Sequence, residues 1–249
     1  MSGALSVLHT EDHCPATNGE ERVLRCLARA CVTARQATGG PVLFDVGANR
    51  GTWAVTALRA CPGAPVHCFE LVLPVRQLLR RRTAGRAGVV VDDAGSADRS
   101  GTRRVKFYPA CDELSSLYDY PHDARFEWRE EPVLRGDDYL ASCGIETVDL
   151  LKIDVEGAEL DVLTGFHDAL RTGRVTAVQF EYGYAAVLSG SLLYRLYSLL
   201  NPLGYQVGRI LPQRVDFRPY TLFDERFFGP NFVAVHRSRP DLTALLGGA

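Results

Sequence analysis

Four carboxylates stand at or near the ends of short apolar runs in this chain of 249 residues. Asp45 lies in Val42-Leu43-Phe44-Asp45-Val46, Glu70 follows Val66 to Phe69, Asp154 follows Leu150 to Ile153, and Glu181 follows Val178 to Phe180. Packing does not call for an acid at a strand tip, and a carboxylate there is costly unless something pairs with it. Several such acids on one edge of a sheet suit a site that handles positive charge or accepts protons. Asp45 also opens a tight turn, Asp45-Val46-Gly47-Ala48-Asn49-Arg50-Gly51, before a helix that begins at Thr52 and Trp53. Gly47 and Gly51 let a ligand come close to the backbone, and the helix places its partly positive end beside that space. A bare strand, turn and helix without a ligand is the plain alternative for the turn on its own.

Spacing narrows the ligand. A dinucleotide fingerprint needs G-x-G-x-x-G; counted from Gly47, the second and third glycines would fall on Asn49 and Thr52, so the pattern fails. No G-x-x-x-x-G-K-[ST] phosphate loop occurs either. The pattern present, Asp-x-Gly-x-Asn-x-Gly, is close to the D-x-G-x-G-x-G turn that binds S-adenosylmethionine, with Asn49 in place of the middle glycine. Glu70 lies roughly 20 residues further on, at the tip of the next strand, where a carboxylate can accept both ribose hydroxyls of a nucleoside. Its alternative is a helix cap. The cofactor candidates are therefore Asp45, Gly47, Ala48, Asn49, Gly51, Thr52, Trp53, Glu70 and its neighbour Leu71. Asp93 and Ala94, at the tip of the third strand, are candidates for the adenine.

The elements that must position these residues alternate in type. Val23, Leu27, Ala30 and Ala34 have helical spacing over Glu20 to Ala37, behind a polar arm, and Gly39-Gly40-Pro41 ends that helix. Strands are expected at 42–46, 64–69, 89–91, 148–153, 175–180, 205–211 and 232–236, with helices after most of them. The arginines at 76, 80, 81, 82 and 86 read as a solvated helix face. Residues 98 to 147 break the alternation: a strand near 103–108, a long aromatic excursion over 109–132, then a short helix from Gly136 to Cys143. Long excursions are often lids or binding loops; His122 within this one is a candidate base, against the plainer reading of a solvated side chain. The expected organisation is an N-terminal arm and helix over residues 1–40, packed on a single domain over 41–249 with a lid-like insertion at about 98–147.

Composition bounds the rest. The chain is 46% hydrophobic and 23% charged, with a formal net charge of -2 and a pI near 6.3, which does not favour nucleic acid as a partner. No apolar run is long enough for a membrane span, and the N-terminus lacks the pattern of a secretory signal. Seven scattered cysteines without a C-x-x-C pair argue for free thiols in a reducing cytosol rather than zinc or a disulfide framework. Lys106 and Lys152 are the only lysines, which reads as base-composition bias towards arginine.

Asp45-Val46-Gly47-Ala48-Asn49-Arg50-Gly51-Thr52-Trp53, Leu151-Lys152-Ile153-Asp154-Val155-Glu156-Gly157-Ala158-Glu159 and Gln179-Phe180-Glu181-Tyr182-Gly183 together resemble the FkbM-type family of S-adenosylmethionine-dependent methyltransferases. Ser115-Ser116-Leu117 and Asn231-Phe232 fit the same likeness, which runs from about residue 20 to 237. The resemblance implies a class I methyltransferase fold, an α/β three-layer sandwich around a seven-stranded, mostly parallel sheet with an antiparallel last strand. It implies O-methylation of a small molecule, sugar or natural product, with Ser116 and Asp154 also at the cofactor; the cysteine usage points to the cytoplasm. Asp154 is the candidate general base, with Glu181 second, because its strand tip faces the methyl site in that fold. Asp154 and Glu181 holding Mg²⁺, with Asn231, is a less favoured alternative. A homodimer, N-methylation of an amine and a non-catalytic nucleoside-binding role stay open.

Overall fold

The computed structural model describes residue 14 and residues 17–34, 40–119, 123–227 and 231–248. The candidate base His122 therefore lies outside the described residues, as does most of the N-terminal arm. In chain order the elements are α1 (Glu20–Ala34), β1 (Leu43–Val46), α2 (Thr52–Ala60), β2 (Val66–Phe69), α3 (Leu73–Thr83), β3 (Val89–Val91), β4 (Gly95–Ala97), β5 (Gly101–Phe107), β6 (Glu127–Arg135), α4 (Gly136–Cys143), β7 (Val148–Ile153), α5 (Glu159–Gly165), α6 (His167–Arg171), β8 (Val175–Glu181), α7 (Ala185–Ser189), α8 (Leu193–Leu200), β9 (Tyr205–Ile210), β10 (Val215–Phe217), β11 (Asn231–His236) and α9 (Pro240–Gly247).

The main sheet runs β10-β9-β11-β8-β7-β1-β2-β3. β11 is antiparallel to both of its neighbours, whereas β3, β2, β1, β7 and β8 are mutually parallel. Period-two alternation sends neighbouring residues to opposite faces. Phe44, Val46, Leu151, Ile153 and Phe180 pack under residues of α5, α6 and α8 such as Leu163, Leu170 and Leu196. Leu43, Leu150, Ala177 and Val233 pack under α1, α2 and α9 through Leu24, Leu27, Ala57 and Leu242. Two covered faces explain why the central strands read as nearly unbroken apolar runs.

The sheet has eight strands where seven were expected. The extra one, β10, comes from the segment between the last two expected strands, which reads as irregular in sequence; it pairs antiparallel with β9 across a turn at residues 211–214. Three residues are too short to show a period. A second correction concerns α3. Arg80, Arg81, Arg82 and Arg86 are exposed, but Arg76 is buried and donates to the carbonyls of Glu70 (2.7 Å) and Leu71 (3.0 Å). The arginine run is thus a solvated face for four of its members, while the fifth clamps the tip of β2.

Among the described residues, the excursion after β5 is regular at a short 3-10 turn over Asp112–Leu114 and at its end. β6 begins at Glu127 and joins β4 and β5 in a separate three-stranded sheet. Phe126 and Trp128 are exposed and sit against Lys106 and Arg104 through cation–π contacts. Within the 98–147 segment, it is residues 112–117 and the inner residues of the small sheet that turn towards the main sheet's carboxyl edge.

Candidate active site

The chain order reverses between β1 and β7: β2 and β3 lie on one side of β1, and β7 lies on the other. The crevice at the carboxyl ends of the strands beside such a reversal is the usual ligand site of open α/β sheets. Here the β1 turn and the residues after β7 are pressed together. A Cβ on Gly47 would lie 1.7 Å from the Asp154 carbonyl oxygen, and the residue has φ +77°. Only glycine fits both conditions. Asn49 also takes a left-handed conformation, φ 43°. Asparagine tolerates that region better than other side chains do, so the missing middle glycine costs the turn little. Gly51, at φ 80°, backs onto Leu79, whose Cδ1 would be 2.6 Å from a Cβ there.

Two clefts open on this turn. The larger in total open space, about 820 Å³ including its mouth, is lined by Gly47, Asn49, Phe69, Glu70, Leu71, Val72, Gly95, Ser96, Val105, Ser116, Val133, Asp154 and Glu156, among others. The smaller, about 660 Å³ with its mouth, is lined by Glu20, Gly47, Ala48, Asn49, Arg50, Thr52, Trp53, Lys152 and Asp154. They share Gly47, Asn49 and Asp154.

Beneath the turn runs a buried polar row. Asp45, Lys152 and Gln179 occupy matching positions on β1, β7 and β8. They point to the same face, and each is at most 5% exposed. The Lys152 Nζ lies 3.1 Å from Asp45 and 3.2 Å from Asp154, and it donates to the Gly47 carbonyl at 3.3 Å. Burial alone would favour a neutral amine, but the carboxylates of Asp154, Asp45 and Glu20 outweigh it and hold Lys152 protonated. Burial pushes Asp45 up, against the pull of Lys152. One ammonium thus joins the turn, the strand beneath it and the acid at the tip of β7.

Glu70 serves both chain segments at its strand tip. One carboxylate oxygen accepts the Asn49 N–H at 2.8 Å and the other the Val72 N–H at 2.9 Å. Glu70 thus ties the glycine turn to the approach to α3, whose own first N–H, that of Leu73, goes to Glu131; each oxygen keeps acceptor capacity, and Glu70 lines the larger cleft. Burial raises it to about 7. Ser116 holds the far wall: its hydroxyl donates to the Glu156 carbonyl at 2.7 Å and accepts the Tyr118 N–H at 3.0 Å. Arg50 pairs with Asp112 at 2.9 Å, tying the glycine turn to the same wall.

Glu159 accepts the Val155 and Gly157 N–H groups, both at 3.2 Å, and so holds the turn that leads from β7 into α5. Burial raises it to about 7 and Glu156 to about 8, the charge of Asp154 adding to both. Burial and then Asp154, to which it is hydrogen-bonded, push Glu181 well above the carboxylate range. Oxygens of Asp154, Glu156 and Glu181 lie within 4.8 Å of one another. Asn231, the expected third partner of a cation there, donates its Nδ2 to Glu20 at 2.8 Å.

The sequence-predicted residues thus fall into three groups. Gly47, Ala48, Asn49, Thr52, Trp53, Glu70, Leu71, Ser116 and Asp154 line one cleft or both. Asp45, Gly51 and Glu181 support the site from behind. Asp93 and Ala94 line neither cleft; Asp93 points to solvent, 85% exposed, and pairs with Arg80 at 2.7 Å. Gly95 and Ser96, the next residues along, take that wall. A turn at Asp92, whose carboxylate accepts the Ala94 N–H at 2.9 Å, leads from β3 into β4, and it is β4 that reaches the cleft. Lys152 and Glu20 stand out only in three dimensions. Lys152 had a signal, a lysine inside an otherwise apolar run, but Glu20 had none beyond its place in a helix.

A family model described as the methyltransferase FkbM domain matches residues 45–207. The chain belongs to the FkbM methyltransferase family. Among curated relatives, the 31-O-demethyl-FK506 methyltransferase FkbM of Streptomyces tacrolimicus is 33% identical over 177 residues, 58% of this chain and 65% of that protein. The 2-O-methyltransferase NoeI of Sinorhizobium fredii is 28% identical over 191 residues, 71% of this chain and 76% of that protein. The match therefore spans just under two thirds of the first relative's length. Among solved structures, the methyltransferase FkbM of Methylobacillus flagellatus KT aligns with a TM-score of 0.49 and 16% identity, covering 79% of this chain and 43% of that one. The last strand in chain order, β11, is antiparallel to its neighbours, as the resemblance implied. No helix among the described residues is long and apolar enough to cross a membrane.

Proposed function

We propose that the protein is an S-adenosylmethionine-dependent O-methyltransferase that modifies a hydroxyl on a small molecule, a sugar or a natural product. The observation that carries this reading is the meeting of two unlike clefts at Gly47, Asn49 and Asp154. A nucleoside and an amino acid joined through one sulfur need such a pair. Apolar walls from Phe69, Leu71 and Val133 suit a base, and Glu70 suits the ribose. The smaller cleft carries charged groups for an amino-acid end. Bound there, the cofactor supplies an activated methyl group on its sulfonium. The protein's work is then to align an acceptor oxygen with that methyl and keep water out.

Asp154 sits at the junction, 37% exposed and held by Lys152. An acceptor hydroxyl loses its proton as its oxygen attacks, and the Asp154 carboxylate is placed to take that proton. Glu181, pushed towards its protonated form, keeps a hydrogen bond to Asp154 from behind. Two curated relatives bear names that specify O-methylation.

Calorimetric titration with S-adenosylmethionine and S-adenosylhomocysteine, with and without Mg²⁺, tests the reading. Micromolar binding of both is expected. No binding of either overturns it. Binding that requires Mg²⁺ would move Asp154 from proton transfer to holding a cation together with Glu156 and Glu181. Turnover of amines but not alcohols would replace O-methylation with N-methylation.

A further inference from the structure

Glu20 opens α1, far in sequence from every motif of the site, yet it lines the smaller cleft and is only 6% exposed. Three carboxamides converge on its buried carboxylate. Asn18 donates to one oxygen at 2.6 Å and Asn231 to the same oxygen at 2.8 Å, while Gln179 donates to the other at 2.8 Å. The Glu20 N–H in turn donates to Asn18 at 3.0 Å, which fixes the first turn of the helix. A carboxylate in a first helical turn is favoured by the helix dipole. None of its hydrogen bonds comes from a cation among the described residues.

The charge around it does not balance. Lys152 is already shared between Asp45 and Asp154, and Arg50 is paired with Asp112. Among the described residues, three buried or half-buried carboxylates, Glu20, Asp45 and Asp154, therefore face one ammonium. A buried charge without a counter-ion is expensive, and a cation entering this cleft would relieve that cost. Trp53 lines the same cleft and has a buried indole N–H without a hydrogen-bond partner, a donor suited to an anion. A cation and an anion within one small pocket describe an α-amino-acid zwitterion.

We propose that Glu20 binds the α-ammonium of the cofactor's amino-acid end, so that α1 completes the cofactor site. The inference rests on the cofactor reading above and deepens it. It also gives Asn18, Gln179 and Asn231 a shared role, which is to hold the carboxylate in place without neutralising it.

The test compares two nucleosides by calorimetry, S-adenosylhomocysteine and 5′-methylthioadenosine, which lacks the amino-acid end. Glu20→Gln keeps size and hydrogen-bonding capacity but removes the charge. It should weaken S-adenosylhomocysteine by about 10- to 100-fold, the range for a hydrogen bond to a charged group, and leave 5′-methylthioadenosine unchanged. Equal loss of both ligands would mean that Glu20 only supports the fold, and the assignment falls. An unchanged affinity for S-adenosylhomocysteine also overturns it. A desamino analogue of S-adenosylhomocysteine provides a check in the unaltered protein. It should bind about as weakly as the intact ligand binds the variant; full affinity would overturn the assignment. If the unaltered protein binds neither nucleoside, the cofactor reading itself fails, a result distinct from loss of the Glu20 effect alone.

Discussion

Asp45 and Asp154 share one ammonium almost equally, at 3.1 and 3.2 Å from the Lys152 Nζ, yet their surroundings differ completely. The Asp45 side chain is fully enclosed beneath the glycine turn, whereas that of Asp154 is 37% exposed at the junction of the two clefts. The same residue type with the same partner is a structural ion pair in one place and a candidate base in the other. What separates them is access. A proton acceptor must reach its substrate, and a buried pair mainly has to offset its own desolvation.

Substitutions at the two positions should therefore fail in different ways. The largest effect is expected from Asp154→Asn: kcat should fall by about 10²- to 10⁴-fold, the usual worth of a general base, with affinity for S-adenosylhomocysteine kept within a few-fold. Unchanged turnover in an acceptor assay would remove Asp154 from the proton-transfer step. Asp45→Asn should instead cost about 3 kcal/mol of stability, because it strips a buried ammonium of one counter-ion. Chemical denaturation reads this directly, and a stable variant that had lost only turnover would erase the contrast between the two acids.

Glu70 sharpens the comparison from the cofactor side. Glu70→Ala leaves two backbone N–H groups, those of Asn49 and Val72, without their acceptor. It should lower stability through those groups, and weaken nucleoside binding by about 10-fold or more through the lost hydrogen bonds from the ribose hydroxyls to a charged group, at roughly 1.5–3 kcal/mol. In contrast to Glu20→Gln, the loss should be equal for S-adenosylhomocysteine and 5′-methylthioadenosine.

The smallest effect is on pH dependence. Glu70 and Glu159 are raised from 4.5 to about 7, and Glu156 from 4.5 to about 8. Between these limits the folded protein binds more protons than the unfolded chain, so stability falls as pH rises through that window. Thermal unfolding followed from about pH 5 to about pH 8 should show a declining Tm. Glu156→Gln should flatten the upper part of that decline, between the values near 7 and near 8. A Tm that climbs across the range would contradict the burial of these acids.

Most of the fold was legible because its signals are local. Strands β1, β2, β3, β7 and β8 are apolar runs ended by turn residues, and α4 follows the expected bounds of Gly136 and Cys143. The short elements β4, β10 and α7 were not legible; three to five residues are too few to establish a period. At the site, the residues of the glycine turn and the acids at strand tips could be read because each lies within its own motif. That Gly95 and Ser96 line the cleft while Asp93 and Ala94 do not was not legible, since β4, which carries them, is only three residues long.

Residue type and spacing within short stretches were enough to specify the strand–turn–helix at Asp45 to Trp53, the acid at the end of β7 and the family likeness that joins them. Three further facts came into being only with the packed layers: Lys152 bridges two of the acids, Asp154 is open while Asp45 is closed, and Glu20 reaches the cleft. They arise from register across β1, β7 and β8 and from α1 docking on the sheet. A charge in a sequence carries no record of which distant charges will face it, and burial, which sets the strength of their interaction, exists only once the layers have closed.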